Sequence, residues 1–245
     1  MKNVLSIGSV EELRSLSLVE DVGHMLFGEA EVGHVLKLCD ALWLHSGNPT
    51  DPHAELTSGK CSNGFVDVLR ALRYTNLCEI FADQLLVRVK AKMTRVDFGG
   101  PIDWVIGSDH AGAALSHSVA TLLKAQHDFT EKGPDKTQLW KRFTIEPGET
   151  VLQVEELMTT SGTLLAVRKG IREGNAKRPV SFTPFVATLV HRSDVYDIEG
   201  TPVAYLVHYD IDTWEPAECP LCAAGSERLR PKEGKNWAKL TGKTA

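Results

Sequence analysis

The sequence predicts an α/β fold built on a doubly wound, mostly parallel sheet. In the second half of the chain, three short apolar runs alternate with amphipathic stretches, an order typical of parallel strands joined by right-handed helical crossovers. With 245 residues, 42% hydrophobic and 24% charged, the chain has the composition of an ordinary globular protein with a sizeable core.

The first third of the chain predicts two helices around one short strand. Apolar residues recur every three or four positions over 11–45, which indicates an amphipathic helix, and SGNPTDP ends it. Residues 65–73 predict a short strand that runs into a turn. A second helix is predicted over 76–92, with Asn76 as its amino-terminal cap.

The remaining elements form the alternating part of the pattern. We predict strands at 103–107, 149–156 and 184–192, with helices between them at 113–126 and 162–175. In such a sheet, ligands bind in the loops beyond the carboxyl ends of the strands. The three strand ends are therefore the places to look for a functional site.

Composition divides the chain into three parts and argues against some partners. The parts are a helical segment 1–50, an α/β domain 51–218 and a basic tail 219–245. A net charge of -5 argues against nucleic acid or an anionic membrane as a partner, because both attract basic surfaces. The start of the sequence has no signal-peptide pattern, and no apolar run reaches the roughly 18 residues of a membrane span. We therefore expect a cytoplasmic protein. The five cysteines agree with this, because they do not form the even-numbered pattern of a disulfide-bonded protein.

Two adjacent glutamates end the strand predicted over 149–156. Glu155 and Glu156 repel each other when both are ionised, so a cation or a polyol ligand would stabilise the pair. A small, hydroxyl-rich turn follows and leads into a helix, which suits a phosphate monoester; its residues are Thr159, Thr160, Ser161, Gly162 and Thr163. The alternative is a solvated strand end, but the order of acidic pair and hydroxyl turn favours a ribose 5-phosphate site.

The other two strand ends also carry polar residues. Ser108, Asp109 and His110 lie in a glycine-rich turn before a helix, where backbone amides can approach a phosphate. Arg192 follows the third strand and would reach the same edge of the sheet. Ordinary turn chemistry and a surface ion pair are the alternatives for these two features.

The acidic pair and the turn after it resemble a known motif. VLQVEELMTTSGT (151–163) resembles the phosphoribosyl-pyrophosphate motif of type I phosphoribosyltransferases, with Ser161 where glycine is common and Glu-Glu where Asp-Asp or Glu-Asp is more frequent. Within that family the chain is most similar to the orotate phosphoribosyltransferases, because HAELTSGKCSNGFVDV (53–68) resembles their amino-terminal signature, with Lys60 and Phe65 at matching positions. The resemblance covers about residues 35–215 and implies an amino-terminal hood over the carboxyl edge of the sheet.

The resemblance implies transfer of ribose 5-phosphate from phosphoribosyl pyrophosphate to a ring nitrogen of orotate, giving orotidine 5'-monophosphate and pyrophosphate. Mg²⁺ would bind through the pyrophosphate and the ribose hydroxyls, which Glu155 and Glu156 would hold. Lys60 and the backbone of 108–111 would contact pyrophosphate, and Arg192 would contact the orotate side. A transferase for another base and a regulatory protein that binds phosphoribosyl pyrophosphate without turnover are the alternatives.

The family also closes a mobile basic loop over its site, commonly from the partner subunit of a homodimer. The matching segment is 127–149, in which Lys132 and Lys136 are the candidate catalytic cations. Glu131 precedes Lys132, where the family has an Arg-Lys pair, and Thr137 and Gln138 follow Lys136 where the family has a histidine, so a solvated loop without a catalytic role is the alternative.

The tail opens with a Cys-x-x-Cys pair, Cys219 and Cys222. Two thiolates at this spacing suit one side of a tetrahedral Zn²⁺ site, whose other ligands would come from distant residues or a second subunit. The alternative is a structural turn with reduced thiols. The basic residues that follow predict a solvated, partly disordered end.

Overall fold

The computed structural model describes residues 2–243, apart from the side chain of Lys136. The α-helices are α1 (Val10–Arg14), α2 (Glu29–Leu38), α3 (Leu69–Leu72), α4 (Thr75–Arg95), α5 (Ala111–Leu123), α6 (Gly162–Gly174), α7 (Pro220–Ala223) and α8 (Asn236–Thr241). The strands are β1 (Leu42–Leu44), β2 (His53–Glu55), β3 (Cys61–Ser62), β4 (Gly64–Val66), β5 (Trp104–Gly107), β6 (Gln126–Phe129), β7 (Glu131–Lys132), β8 (Gln138–Leu139), β9 (Thr150–Met158), β10 (Ser181–Phe182), β11 (Val186–His191), β12 (Asp197–Ile198), β13 (Thr201–His208), β14 (Thr213–Trp214) and β15 (Arg228–Leu229).

The central sheet confirms the predicted fold class. Its strands lie in the order β12-β13-β11-β9-β5-β6, with β10 beside β9, and every pairing except β12 with β13 is parallel. Counted along the chain, the five main strands β5, β6, β9, β11 and β13 lie in the order 2-1-3-4-5 of a doubly wound sheet. The chain direction across the sheet therefore reverses between β5 and β9, where such folds bind ligands.

Both faces of the sheet are covered. Side chains that alternate along the strands point to opposite faces. Val105 and Leu152 pack in the core beneath α4 and α5, whereas Trp104, Ile106 and Val151 pack in a second core with residues of α6. This double burial explains why the strands read as continuous apolar runs in the sequence.

Sequence periodicity identified three strands of the sheet, β5, β9 and β11, and the helices α4, α5 and α6, but misjudged the amino-terminal part. The helix predicted over 11–45 is wrong: α1, a π-helical turn (Leu18–Val22), α2 and β1 occupy it. Gly23, at φ 57°, follows the π-helical turn, and Gly28 stands at the amino-terminal cap of α2. Asn76 does not cap α4; its side-chain amide donates to the carbonyls of Leu13 and Leu16 at 2.8 and 3.1 Å. Strands β6 and β13 were not predicted.

Two small sheets form a structure beside the central sheet, which we call the hood (β1–β4, β14 and β15). β1 pairs with β4, and β14-β3-β2-β15 form a four-stranded sheet. The tail contributes β15 to this sheet, and Trp43 Nε1 donates to the carbonyl of Leu240 in α8 at 2.7 Å. The predicted partial disorder is therefore wrong for the described residues up to 243, although the basic side chains of the tail are solvent-exposed as predicted. Within the described chain, no helix is both long and apolar enough to cross a membrane.

Candidate active site at the carboxyl edge of the sheet

A cavity of about 740 Å³ lies at the carboxyl ends of β5 and β9, where the doubly wound order reverses. Its polar lining contains nine of the predicted site residues, namely Ser108, Asp109, His110, Lys132, Glu155, Glu156, Thr160, Gly162 and Thr163. These residues come from three separate segments of the chain and meet because parallel strands end at the same edge. The polar residues at the carboxyl ends of β5 and β9 therefore meet at one cavity.

Glu155 is the most constrained of these side chains. It is 2% exposed, and the backbone amide and hydroxyl of Ser108 donate to its two carboxylate oxygens at 3.0 and 2.6 Å. Burial, followed by the charge of Glu156, raises the pKa of Glu155 to about 8, because both disfavour the ionised form of its carboxyl. Because both causes disfavour ionisation in the free protein, a cation or hydroxyl-bearing ligand at this position would favour the ionised form.

Glu156 offers an oxygen that needs a partner. Its Oε2 is buried and makes no hydrogen bond within the described residues. Burial raises the pKa of Glu156 as well. A buried polar atom without a partner costs free energy, so this oxygen marks where a ligand donor would be stabilising.

Two glycines allow the strand ends and α5 to come this close. A Cβ on Gly112 would lie 2.8 Å from Ser108 Oγ and 2.9 Å from Glu155 Oε2. A Cβ on Gly107 would lie 2.5 Å from the carbonyl oxygen of Gly112. Both positions require glycine because a larger residue would push the carboxylate and the turn apart.

The turn before α5 has an uncommon backbone. His110 has φ 61° and ψ -112°, a conformation that non-glycine residues rarely adopt. Its imidazole is 83% exposed at the cavity, and Nε2 lies 3.5 Å from Asp109 Oδ2. Strain of this kind persists where the surrounding structure holds it, and it often accompanies ligand binding. The turn also directs the amino terminus of α5 toward the cavity, which favours an anion there.

The hydroxyl-rich turn provides the opposite wall. Thr160, Gly162 and Thr163 line the cavity, and α6 begins at Gly162. Thr159 and Ser161 belong to the same turn but are not among the lining residues. The turn therefore combines a helix amino terminus with hydroxyl donors, as a phosphate requires.

The segment predicted as a basic loop, 127–149, is folded in this structure. β7 and β8 form a hairpin that packs closely against Gly170 of α6. A Cβ added to Gly170 would lie 2.1 Å from the carbonyl oxygen of Gln138. Lys132 lines the cavity, whereas Lys141 and Arg142 pair with Glu131. The side chain of Lys136 lies outside the described part of the structure.

Three predicted residues lie away from the cavity lining. Lys60 pairs with Glu215 at 3.1 Å, and Phe65 packs edge-on against Trp237 with ring centroids 5.9 Å apart. Arg192 follows β11, and its backbone amide donates to the carbonyl of Met158 at 2.9 Å. The family resemblance placed these residues at the site, and in this conformation the hood and tail hold the first two instead.

The structure adds lining residues that the sequence analysis did not select. Asp67 and Gln138 are the polar ones, and Val66, Val68 and Leu69 supply an apolar wall. Asp67 also pairs with Lys232 of the tail at 2.8 Å. Asp67 directly follows β4, and its place as the one acidic residue among the apolar residues of FVDV (65–68) was a signal that could have identified it.

Sequence comparison finds related transferases. The chain is 32% identical over 179 residues to the orotate phosphoribosyltransferase of Caldicellulosiruptor bescii, covering 73% of this chain and 87% of that protein. It is 28% identical over 186 residues to the orotate phosphoribosyltransferase of Thermotoga maritima, covering 76% and 92%. No family model matches the chain.

Solved structures share the fold. The orotate phosphoribosyltransferase of Aeropyrum pernix superposes with a TM-score of 0.52 at 19% identity, covering 72% of this chain and 93% of that one. Leishmania donovani UMP synthase gives a TM-score of 0.50 at 14% identity, covering 95% of this chain and 44% of that one. At these identities the likeness concerns the fold alone.

Proposed function

We propose that this chain, which belongs to the orotate phosphoribosyltransferase family, transfers ribose 5-phosphate from phosphoribosyl pyrophosphate to orotate. One observation carries the proposal: an acidic pair, a hydroxyl-rich helix start and a strained turn before α5 converge on one cavity at the reversal of the sheet. The products would be orotidine 5'-monophosphate and pyrophosphate.

The chemistry follows from where charge develops. The orotate ring nitrogen releases its proton to solvent and forms a bond to C1 of the ribose, and the C1–O bond breaks with its electron pair leaving on pyrophosphate. Positive charge develops on the ribose ring while negative charge grows on the leaving group, so fixed charges and dipoles do most of the catalysis. Lys132 is the lysine of this cavity that we assign to the leaving group.

Each wall of the cavity has a proposed role. Glu155 and Glu156 accept hydrogen bonds from the ribose hydroxyls, which satisfies the free Oε2 of Glu156. The turn of Thr160 to Thr163 holds the 5-phosphate, and the turn at Ser108 to His110 holds the pyrophosphate. We assign four further residues to ligand contacts that would form when the hood and the basic segment 127–149 close over the cavity: Lys60, Phe65, Arg192 and Lys136.

The cavity suits Mg²⁺ bound together with the substrate. Four carboxylates line it, Asp67, Asp109, Glu155 and Glu156, and hard cations prefer such oxygen ligands. When bound, Mg²⁺ would supply positive charge that neutralises the pyrophosphate. Cys219 and Cys222 do not line the cavity, so a zinc ion there takes no part in the transfer.

A homodimer and a cytoplasmic location complete the proposal. The described cysteines are all free, which suits a reducing compartment. Light scattering on the purified protein should give twice the chain mass, and a monomer mass at working concentration contradicts the dimer.

An absorbance assay tests the activity. With phosphoribosyl pyrophosphate and Mg²⁺, the orotate absorbance should fall. An unchanged signal with orotate but turnover in a panel of other bases would show a different transferase, and no turnover with any base would show a binding protein.

Substitutions test the assigned residues. Lys132→Ala should lower kcat/KM by about a hundredfold, because it removes a charge that stabilises the transition state. Lys141→Ala is the matched control, since Lys141 belongs to the same segment but pairs with Glu131. Glu156→Gln should weaken phosphoribosyl-pyrophosphate binding in calorimetry, and unchanged affinity excludes the ribose role.

A further inference from the structure

A cluster of sulfur and nitrogen ligands lies in the hood, apart from the cavity. His53, Cys61, Cys219 and Cys222 place one ligand atom each within 4.8 Å of one another. His53 and Cys61 come from the adjacent strands β2 and β3, and the two other cysteines flank the start of α7. Cys61 and Cys222 are 161 residues apart in sequence, so the cluster exists only in the folded chain.

Three of the six distances between the four ligand atoms match the edges of a tetrahedral metal site, and all six are within 4.8 Å. Zn–S bonds of about 2.3 Å and Zn–N bonds of about 2.0–2.1 Å give S···S edges of about 3.8 Å and S···N edges of about 3.6 Å. Here Cys61 Sγ and Cys222 Sγ are 3.6 Å apart, and His53 Nε2 lies 3.7 Å from Cys219 Sγ and 3.4 Å from Cys222 Sγ. A disulfide would need its two sulfurs about 2.05 Å apart.

The hydrogen bonds around His53 direct a lone pair into the cluster. The hydroxyl of Ser226 donates its single proton to the carbonyl of Asp51 at 2.6 Å. Ser226 Oγ, 2.7 Å from His53 Nδ1, must therefore accept a hydrogen bond from that nitrogen. Nδ1 carries the proton, and Nε2 presents its lone pair to the three thiols, as in metal-bound histidines held by a second hydrogen bond.

The surroundings also suit thiolate ligands. The backbone amide of Cys222 donates to Cys219 Sγ at 3.4 Å. Three thiolates, one neutral imidazole and one divalent cation carry a net charge of -1. The guanidinium of Arg228 lies beside Cys61, where it would offset that charge while it pairs with Glu55.

We propose that His53, Cys61, Cys219 and Cys222 bind one structural Zn²⁺ that fastens the carboxyl-terminal tail to β2 and β3. The nitrogen and sulfur ligands and tetrahedral spacing favour zinc over harder cations. The site completes the Cys-x-x-Cys pair with two ligands that sequence spacing could not identify. It does not depend on the transferase function, since a chain without turnover would bind the ion equally.

The tail that this ion holds also contacts the residues beside the cavity. Lys232 pairs with Asp67 at 2.8 Å, and the guanidinium of Arg70 lies 4.7 Å from the ring centroid of Trp237. Removal of zinc should therefore expose the basic tail to trypsin, which cleaves after lysine and arginine.

Metal analysis of the full chain is the first test. The protein purified without chelator should hold about one zinc per chain. Cys222→Ser should lower the zinc content at least about tenfold and speed trypsin cleavage of the tail. Cys78→Ser is the matched control, since Cys78 lies outside the cluster with Ser118 Oγ 3.4 Å from its sulfur; it should retain full zinc content.

Two further measurements keep the test decisive if Cys222→Ser fails to fold. Cobalt exchanged into the wild-type protein should show the visible absorption of a tetrahedral thiolate site. Ser226→Ala should weaken zinc binding about 10–100-fold in a chelator competition, because it frees Nδ1 of His53. Zinc content near zero with no cobalt spectrum, iron in place of zinc, or a disulfide between these cysteines in the native protein would each overturn the proposal.

Discussion

Replacing Glu155 by glutamine should change how stability depends on pH. Glu155 is 2% exposed, and burial together with Glu156 raises its pKa from 4.5 to about 8. Between these values the native protein keeps a proton that the unfolded chain has released. Its free energy of unfolding therefore falls by about 1.4 kcal/mol per pH unit over that window.

The stability linked to Glu155 is fully present below pH 4.5 and is lost as pH rises through about 8. Across this window of about 3.5 pH units the loss is at most about 5 kcal/mol, and structural relaxation would reduce it to about 2–4 kcal/mol. The glutamine of Glu155→Gln carries no such charge and can still accept the backbone hydrogen bond from Ser108. The free energy of unfolding of this variant should therefore rise relative to that of the wild type as pH rises.

Urea unfolding at pH 5 and pH 9, followed by tryptophan fluorescence, measures the difference. Titrating groups that do not interact with Glu155 cancel in this comparison, whereas Glu156 belongs to the measured effect because it is coupled to Glu155. Glu173→Gln is the control, because Glu173 is an exposed glutamate of α6 whose side chain is 67% accessible. If the stability difference between Glu155→Gln and wild type is the same at both pH values, Glu155 is not buried with a raised pKa and the reasoning fails.

Two glycine substitutions test the close approaches in the site. Gly112→Ala would place a Cβ 2.9 Å from Glu155 Oε2, so calorimetry should show phosphoribosyl-pyrophosphate binding weakened by at least about tenfold, with about 1–3 kcal/mol of lost stability. Gly170→Ala would place a Cβ 2.1 Å from the carbonyl oxygen of Gln138, a backbone atom that cannot move without disturbing the hairpin. The clash should outweigh the gain in helix propensity and lower the free energy of unfolding in urea by about 1–3 kcal/mol. Gly99→Ala, with open space around it, should change neither measurement; wild-type values for either test variant would contradict the packing argument.

The local patterns of the sequence determined the sheet and the main part of the site. Apolar runs and helical periodicity identified β5, α5, β9, α6 and β11, because double burial makes these strands apolar throughout. Since parallel strands end at one edge, the strand-end motifs were enough to bring Ser108, Glu155 and Thr160 to one cavity. The acidic pair followed by a hydroxyl turn identified the family that sequence comparison then confirmed.

The tertiary structure alone decided what depends on contacts between distant segments. The raised pKa of Glu155 comes from burial, and its partner Ser108 lies 47 residues away in sequence. Lys60 and Phe65 match the family signature, yet Glu215 and Trp237 of distant segments hold them in the hood. The Cys-x-x-Cys pair indicated half of a zinc site, but His53 and Cys61 join it only through the pairing of β2 and β3 and the return of the tail, which no local pattern encodes.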